Sequence, residues 1–166
     1  RARIGSGIPL ESSEVAVGPV IDEVVAEYRS RHPGREIRWQ AEHPFRCVLD
    51  RDRIIQAVGK LLSNALAHGA GDQPVWVAVR AAEEWLTIEV GNRAEVIPQT
   101  ILSRIFEPFE RGSSDRGKQR AGLGLGLYIV REIARAHGGD ATLRSCAEDG
   151  VVAALRLPRR LDGVHR

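Results

Sequence analysis

Two stretches of the sequence combine residue types with spacings that could do chemistry. The first is Gly122-Leu123-Gly124-Leu125-Gly126-Leu127, with glycine at every second position where an aperiodic stretch gives way to an amphipathic one. Residues without a Cβ let backbone N–H groups approach a polyanion closely, and a helix beginning there adds partial positive charge from its N-terminus. A phosphate cradle is the chemistry this spacing serves; a glycine-rich loop end is the plainer reading. It is not the dinucleotide fingerprint, lacking the preceding strand and the G-x-G-x-x-G spacing, nor a P-loop, lacking a following Gly-Lys-Ser/Thr. The second stretch carries Gln56, Lys60, Asn64 and His68, one polar residue at every fourth position, which stacks them along one helix face. Such a stripe can simply be a solvated side. Asn, however, is a weak helix former, and its carbonyl is a hard oxygen ligand suited to Mg²⁺ beside phosphate oxygens and water.

The elements that must hold these residues follow from hydrophobic periodicity. Residues 1–16, rich in Gly, Ser and Pro, read as a linker or a short edge strand. Val20, Ile21, Val24, Val25 and Tyr28 form the stripe of a helix over 19–31, ended by His32-Pro33-Gly34. Ile37 and Trp39, then Phe45, Cys47 and Leu49, alternate as two short strands. Helical spacing returns over 50–68, with Ile54, Val58, Leu61, Leu62 and Ala65 inward and Asp50 or Asp52 placed to cap the start. Val75, Val77 and Val79, then Leu86, Ile88 and Val90, predict a hairpin. From 91 to 122 periodicity fails except for a helical patch at 100–105, and a loop that long inside a compact domain usually has a function. A helix is predicted over 123–137, stopped by Gly138-Gly139, with two last strands near 141–144 and 151–157. The pattern predicts an α/β two-layer sandwich, a mixed, mostly antiparallel sheet with helices packed on one face.

Composition narrows the function classes. The 166 residues, 43% of them hydrophobic, suit one domain with one core. Lys and Arg total 24 against 22 for Asp and Glu, with no dense basic run, which argues against a nucleic-acid partner. Cys47 and Cys146 show no zinc or redox spacing, which suits a reduced, cytoplasmic setting. No stretch approaches the ~18 consecutive apolar residues of a membrane span. The start lacks a signal-peptide pattern and the chain contains no Met, so a segment of a longer protein, with or without a membrane anchor, is the expectation.

Taken together, Leu61-Leu62-Ser63-Asn64-Ala65, then Arg104-Ile105-Phe106-Glu107-Pro108-Phe109-Glu110-Arg111-Gly112, then Gly122 to Leu127 and Tyr128-Ile129-Val130 resemble the histidine-kinase branch of the Bergerat-fold ATPases, relatives of gyrase and Hsp90. The resemblance covers roughly residues 17–158. It makes 50–68 the N box, Phe106 to Phe109 the F box, Gly122 to Gly126 the G2 box and the stretch near 106–122 the ATP lid. It implies ATP between the N-box helix and the lid, with Mg²⁺ bridging the phosphates. Asn64 would hold the metal and act with Lys60 in catalysis. Nucleotide contacts would come from Asn64, His68, Asn92 and Ile97, from Phe109 and Arg111 on the lid, and from Gly122, Leu123, Gly124, Leu125, Gly126 and Leu127. Residues 1–16 would then lead from an upstream dimerisation and phosphoacceptor domain, with 159–166 as a tail. The implied partners are that upstream domain, a response regulator, and a second copy of a homodimeric parent.

Several positions depart from the family pattern. The adenine-binding G1 box reads Asn92-Arg93-Ala94-Glu95-Val96, with its acid and both glycines replaced. An Asn can still serve the base, accepting from the exocyclic amine while donating to a ring nitrogen. Ala94 and Val96 would strain or crowd a backbone that needs φ > 0 or close ligand approach there. Lys60 stands where the N box usually has a further Asn; it either neutralises phosphate charge in partial place of the ion or abolishes productive Mg²⁺ binding. Ala67 stands where many relatives carry a phosphate-facing Lys. Gly150-Val151-Val152-Ala153 replaces a hydroxyl-rich Gly-Thr-Thr, which implies a drier, tighter pocket. None of His32, His43, His68, His137 and His165 lies in the His-Glu-Leu/Phe-Arg-x-Pro context of a phosphoacceptor. The resemblance therefore implies the ATP-binding catalytic domain of a two-component sensor histidine kinase, transferring the γ-phosphate to a histidine on a separate domain. The alternative is a degenerate nucleotide-binding or regulatory module. An anti-sigma-type serine kinase fits the F box and the long lid less well.

Overall fold

The computed structural model describes residues 7–40, 46–107 and 115–159, with backbone alone for 115–125. The elements run β1 (Ser13–Ala16), α1 (Val17–Arg31), β2 (Ile37–Arg38), β3 (Arg46–Leu49), α2 (Arg51–His68), β4 (Val75–Ala81), β5 (Trp85–Asn92), α3 (Gln99–Leu102), α4 (Asp115–Ala136), β6 (Asp140–Cys146) and β7 (Gly150–Pro158). Five strands form one sheet in the order β2-β4-β5-β7-β6, with β2 parallel to β4 and every other pair antiparallel. β1 and β3 make a separate antiparallel pair. The architecture is the expected α/β two-layer sandwich. None of the described helices is long and apolar enough to cross a membrane.

Period-two alternation explains which face of the sheet carries the helices. Leu86, Ile88 and Val90 of β5 and Leu155 and Leu157 of β7 are buried in one core with Ile21 and Val24 of α1, Ile54 and Leu62 of α2, and Val130 and Ile133 of α4. The opposite face carries Trp76, Arg80, Glu89 and Arg144. There Glu89, 7% exposed, accepts from Arg80 at 2.9 Å and lies 3.7 Å from Arg144, and Trp76 covers Gly91 so closely that a Cβ on residue 91 would fall 2.1 Å from the indole.

Helix α2 begins where its capping residue dictates. Asp50 Oδ1 accepts from Arg53 N at 3.1 Å, satisfying one of the orphan donors of the first turn, while Oδ2 accepts from Glu11 N at 2.8 Å. The Asp50 N–H donates to Nε2 of the buried His137 at 3.1 Å, and the Nδ1–H of that ring donates to Ile133 O at 2.8 Å. The N-terminal segment, the start of α2 and the end of α4 are thus tied at one residue. α4 ends as the sequence predicts, with Gly138 N bonded to Arg135 O and Gly139 N to Ala134 O, both at 2.9 Å. Asp140 follows: burial pushes its carboxyl up, but the Arg131 and Ala141 hydrogen bonds and the charges of Arg131 and Arg135 outweigh this and hold it below the usual carboxylate range.

Of the two readings offered for residues 1–16, the short edge strand holds for 13–16: they pair with β3, and Val15, apolar in an otherwise polar run, is buried against the core. One expectation is corrected. The last helix does not start at Leu123. It runs from Asp115, since Lys118, Gln119, Arg120 and Ala121 are good helix formers whose charge read as a loop, and an acidic residue in the first turn suits the helix dipole.

Candidate functional site

A cavity of about 860 Å³ lies between the C-terminal half of α2, the segment following β5, and strands β6 and β7. Val90, Ile97, Leu127, Leu143, Val151 and Ala153 give it apolar walls, and among the described residues Asn64, His68, Asn92 and Glu95 bring polar side chains to it. This size and lining are those of a small-molecule pocket. Val96, 54% exposed, also lines it and is the one large hydrophobic side chain left exposed among the described residues.

Asn92 is the last residue of β5, in register with the inward row Leu86, Ile88 and Val90, so a polar side chain takes a position where the strand otherwise buries apolar ones. It is 6% exposed and lines the cavity, and no hydrogen bond ties its carboxamide to another described residue. Two glycines make room for it. A Cβ on Gly69 would fall 2.5 Å from Asn92 Nδ2; at Gly150, whose φ of +79° already disfavours side chains, a Cβ would fall 2.4 Å from the Asn92 carbonyl oxygen. The following segment is lashed down on both sides. Ala70 N donates to Arg93 O at 2.7 Å, the Arg93 guanidinium donates to Glu148 O at 2.5 Å, and Ile97 N donates to Ser145 Oγ at 2.9 Å.

Asn64 and His68 reach the cavity from α2 because four-residue spacing puts them on one face. Asn64 Nδ2 is buried with no hydrogen-bond partner among the described residues, and it lies against Gly126, where a Cβ would stand 3.2 Å away. Lys60, one turn earlier, is exposed and lies outside the cavity wall, as does Gln56, which accepts from Arg53 at 3.1 Å. The stripe is therefore divided: its C-terminal half faces the cavity and its N-terminal half does not.

The histidine kinase-, DNA gyrase B- and HSP90-like ATPases match residues 49–161 of this sequence. The chain belongs to that family. Relatives include the bacteriophytochrome of Pseudomonas aeruginosa, 34% identical over 96% of this chain and 22% of its own length. The signal transduction histidine-protein kinase AfsQ2 of Streptomyces coelicolor is 34% identical over 84% of this chain and 26% of its own length. The chain thus spans about a quarter of these relatives. Among solved structures, the nucleotide-free catalytic domain of histidine kinase ThkA superposes with a TM-score of 0.79 at 25% identity, covering 90% of this chain and 97% of that one. The mycobacterial sensor histidine kinase MprB shares the fold, with a TM-score of 0.75 at 23% identity over 91% of this chain and 99% of that one.

Of the residues that the sequence resemblance assigns to the N, G1 and G2 boxes, Asn64, His68, Asn92, Ile97 and Leu127 line the cavity, and Gly126 backs Asn64. Gly122, Leu123, Gly124 and Leu125 continue α4 as backbone, so they lie within a helix and do not open one as the sequence suggested. In that state their N–H groups serve the helix's own hydrogen bonds. Phe109 and Arg111 lie outside the described residues. Phe106 is half-buried against the core with the Arg131 guanidinium 4.7 Å from its ring centre, anchoring the start of the F box to α4. Ala94 and Val96 line the cavity without filling it, and Val151 and Ala153 supply a wall free of hydroxyls. Periodicity alone missed Gly69, Leu143, Ser145 and Glu148. Gly69 could have been found as the residue directly after the N-box helix; the other three act through a fold-dependent approach of β6 and its turn.

Proposed function

We propose that this chain is the ATP-binding catalytic domain of a two-component sensor histidine kinase, presenting the γ-phosphate of ATP to a histidine carried by another domain of the same protein. The observation that supports it best is Asn92, a residue 6% exposed whose carboxamide is hydrogen-bonded to no other described residue, at a cavity whose α2 wall carries Asn64 and His68. The apolar slot suits a planar base, Asn92 reads its edge, and the phosphates extend along α2 toward Gly122 to Leu127. Releasing those N–H groups to an anion means unwinding part of α4. Gly117, Gly122, Gly124 and Gly126 lower that barrier, since each glycine weakens a helix interior by about 1 kcal/mol relative to Ala.

The residues present fit a nucleotide-borne Mg²⁺. No group of three or more His, Cys, Asp or Glu that could cage an ion exists among the described residues. Asn64 offers one carboxamide: its oxygen could join the shell of an ion that keeps several waters and binds chiefly through phosphate, while its buried, unsatisfied Nδ2, a donor, suits a phosphate oxygen and not the ion. When bound, Mg²⁺ would neutralise charge developing on the transferred phosphoryl group. The chain's own part is to hold the nucleotide, exclude water with the Val151 and Ala153 wall, and orient the phosphates. Lys60, exposed one turn from Asn64, is proposed as a flexible cation that approaches the phosphates from solvent. The proposed partners are an upstream dimerisation and phosphoacceptor domain, a second copy of the parent, and a response regulator, in the cytoplasm.

Calorimetry with ATP, with and without Mg²⁺, on this chain and on Lys60→Asn tests the proposal. Binding heat is expected for ATP with Mg²⁺, and phosphotransfer once an acceptor domain is supplied in trans. No heat in any combination refutes it.

A further inference from the structure

Among the described residues, none at the base end of the cavity selects 6-aminopurines over 6-oxopurines. Among the described residues, Asn92 is the one polar side chain lining the cavity that is more than nine-tenths buried; Asn64 is half-buried, and His68 and Glu95 are exposed. A carboxylate at that depth could only accept hydrogen bonds, and would take the 6-amino group of adenine while repelling a 6-oxo group. A carboxamide carries one acceptor and one two-proton donor on a single rotatable bond. With its oxygen toward position 6 it accepts from N6–H and donates to N1 of adenine. Turned by 180°, it donates to O6 and accepts from N1–H of hypoxanthine.

Two observations leave that turn open. The Asn92 carboxamide is tied to no other described residue, so none of these fixes which end faces the cavity. Gly69 lies directly against it, where any Cβ would intrude to 2.5 Å from Nδ2.

Building on the nucleotide-binding proposal above, we infer that Asn92 makes this site accept 6-oxopurine nucleoside triphosphates about as well as 6-aminopurine ones. The two ligands exchange donor and acceptor at both reading positions, and the side chain exchanges with them. The substrate class is then purine nucleoside triphosphates without strict choice at position 6.

Calorimetry of the full chain with ATP and with inosine triphosphate, which differ at position 6 and in the N1 proton alone, decides it. The expected dissociation constants agree within about threefold. In Asn92→Asp, inosine triphosphate is expected to weaken about tenfold or more relative to ATP, because its O6 faces an acceptor and is left unpaired. ATP binding to the wild type with inosine triphosphate more than tenfold weaker overturns the inference and leaves the nucleotide proposal standing. An unchanged ratio in a folded Asn92→Asp protein also overturns it. Absence of binding by either ligand overturns the nucleotide proposal itself, and this inference with it.

Discussion

Replacing Gly69 by Ala tests the geometry at the end of α2 most directly. Gly69 has an extended backbone, φ −84° and ψ 169°, which Ala adopts freely, so no conformational strain enters. What enters is a methyl group 2.5 Å from Asn92 Nδ2 and 2.8 Å from Ala65 O, the carbonyl that already accepts the Gly69 N–H at 2.9 Å. Overpacking of this kind destabilises by about 1–3 kcal/mol. Opposing it, Gly→Ala restricts the unfolded chain and stabilises by about 0.4–1 kcal/mol. Because one of the two clashes is with backbone, the steric effect prevails, and the net loss is about 1–2 kcal/mol. Urea unfolding followed by circular dichroism should show a lower midpoint at unchanged slope. Gly71→Ala is the control: nothing lies within 4 Å of its Cβ, so it is expected to be neutral or stabilising by up to about 1 kcal/mol. If Gly69→Ala proves as stable as Gly71→Ala, the packing of Asn92 against α2 is refuted. ATP affinity in Gly69→Ala is expected to fall as well, since the carboxamide is pushed from its seat.

Asp50→Ala removes the cap on Arg53 N and the acceptor for Glu11 N and should destabilise by about 1–2 kcal/mol in urea unfolding. His137→Leu leaves the Asp50 N–H buried without its acceptor, at a cost of about 1–3 kcal/mol, and the double variant should be non-additive, because the two residues share one network. Asp140 has a folded-state pKa below its unfolded value, so it stabilises the fold above the unfolded pKa of about 3.9, and that contribution disappears as pH falls through the lower folded value. Asp140→Asn should therefore be less stable than wild type at pH 7, by under about 1 kcal/mol because the pair is half-exposed, and the difference should vanish in strong acid; a difference constant from pH 7 to pH 2 would refute this.

The helices and strands that bury one clean face were legible in the sequence. Val20 to Tyr28, Ile54 to Ala65 and Leu86 to Val90 each carry an unambiguous period, and the elements lie where those periods put them. The start of α4 was not legible, because charged helix formers at 115–121 carry no apolar stripe and read as loop. At the site, Asn64, His68, Asn92 and Ile97 were visible as polar or motif positions, and the structure gathers them. Lys60 looked equivalent to Asn64 on spacing alone. Four residues advance a helix by about 6 Å, and the α2 wall of the cavity begins at Leu61, so Lys60 falls beyond its edge while Asn64 lines it. The glycines at 69 and 150 were visible, but their purpose was not: each clears space for Asn92, a residue distant in sequence.

Trp76, packed on Gly91, gives the protein a built-in optical gauge. Its indole rests on the backbone of the residue just before Asn92, across the sheet from the cavity, shielded from the ligand yet mechanically next to the group that would read it. With Trp39 and Trp85 changed to Phe, the emission of the remaining indole would follow small displacements of the β5 end. Occupancy of the pocket could then be titrated without a label, and separated from quenching by the ligand itself.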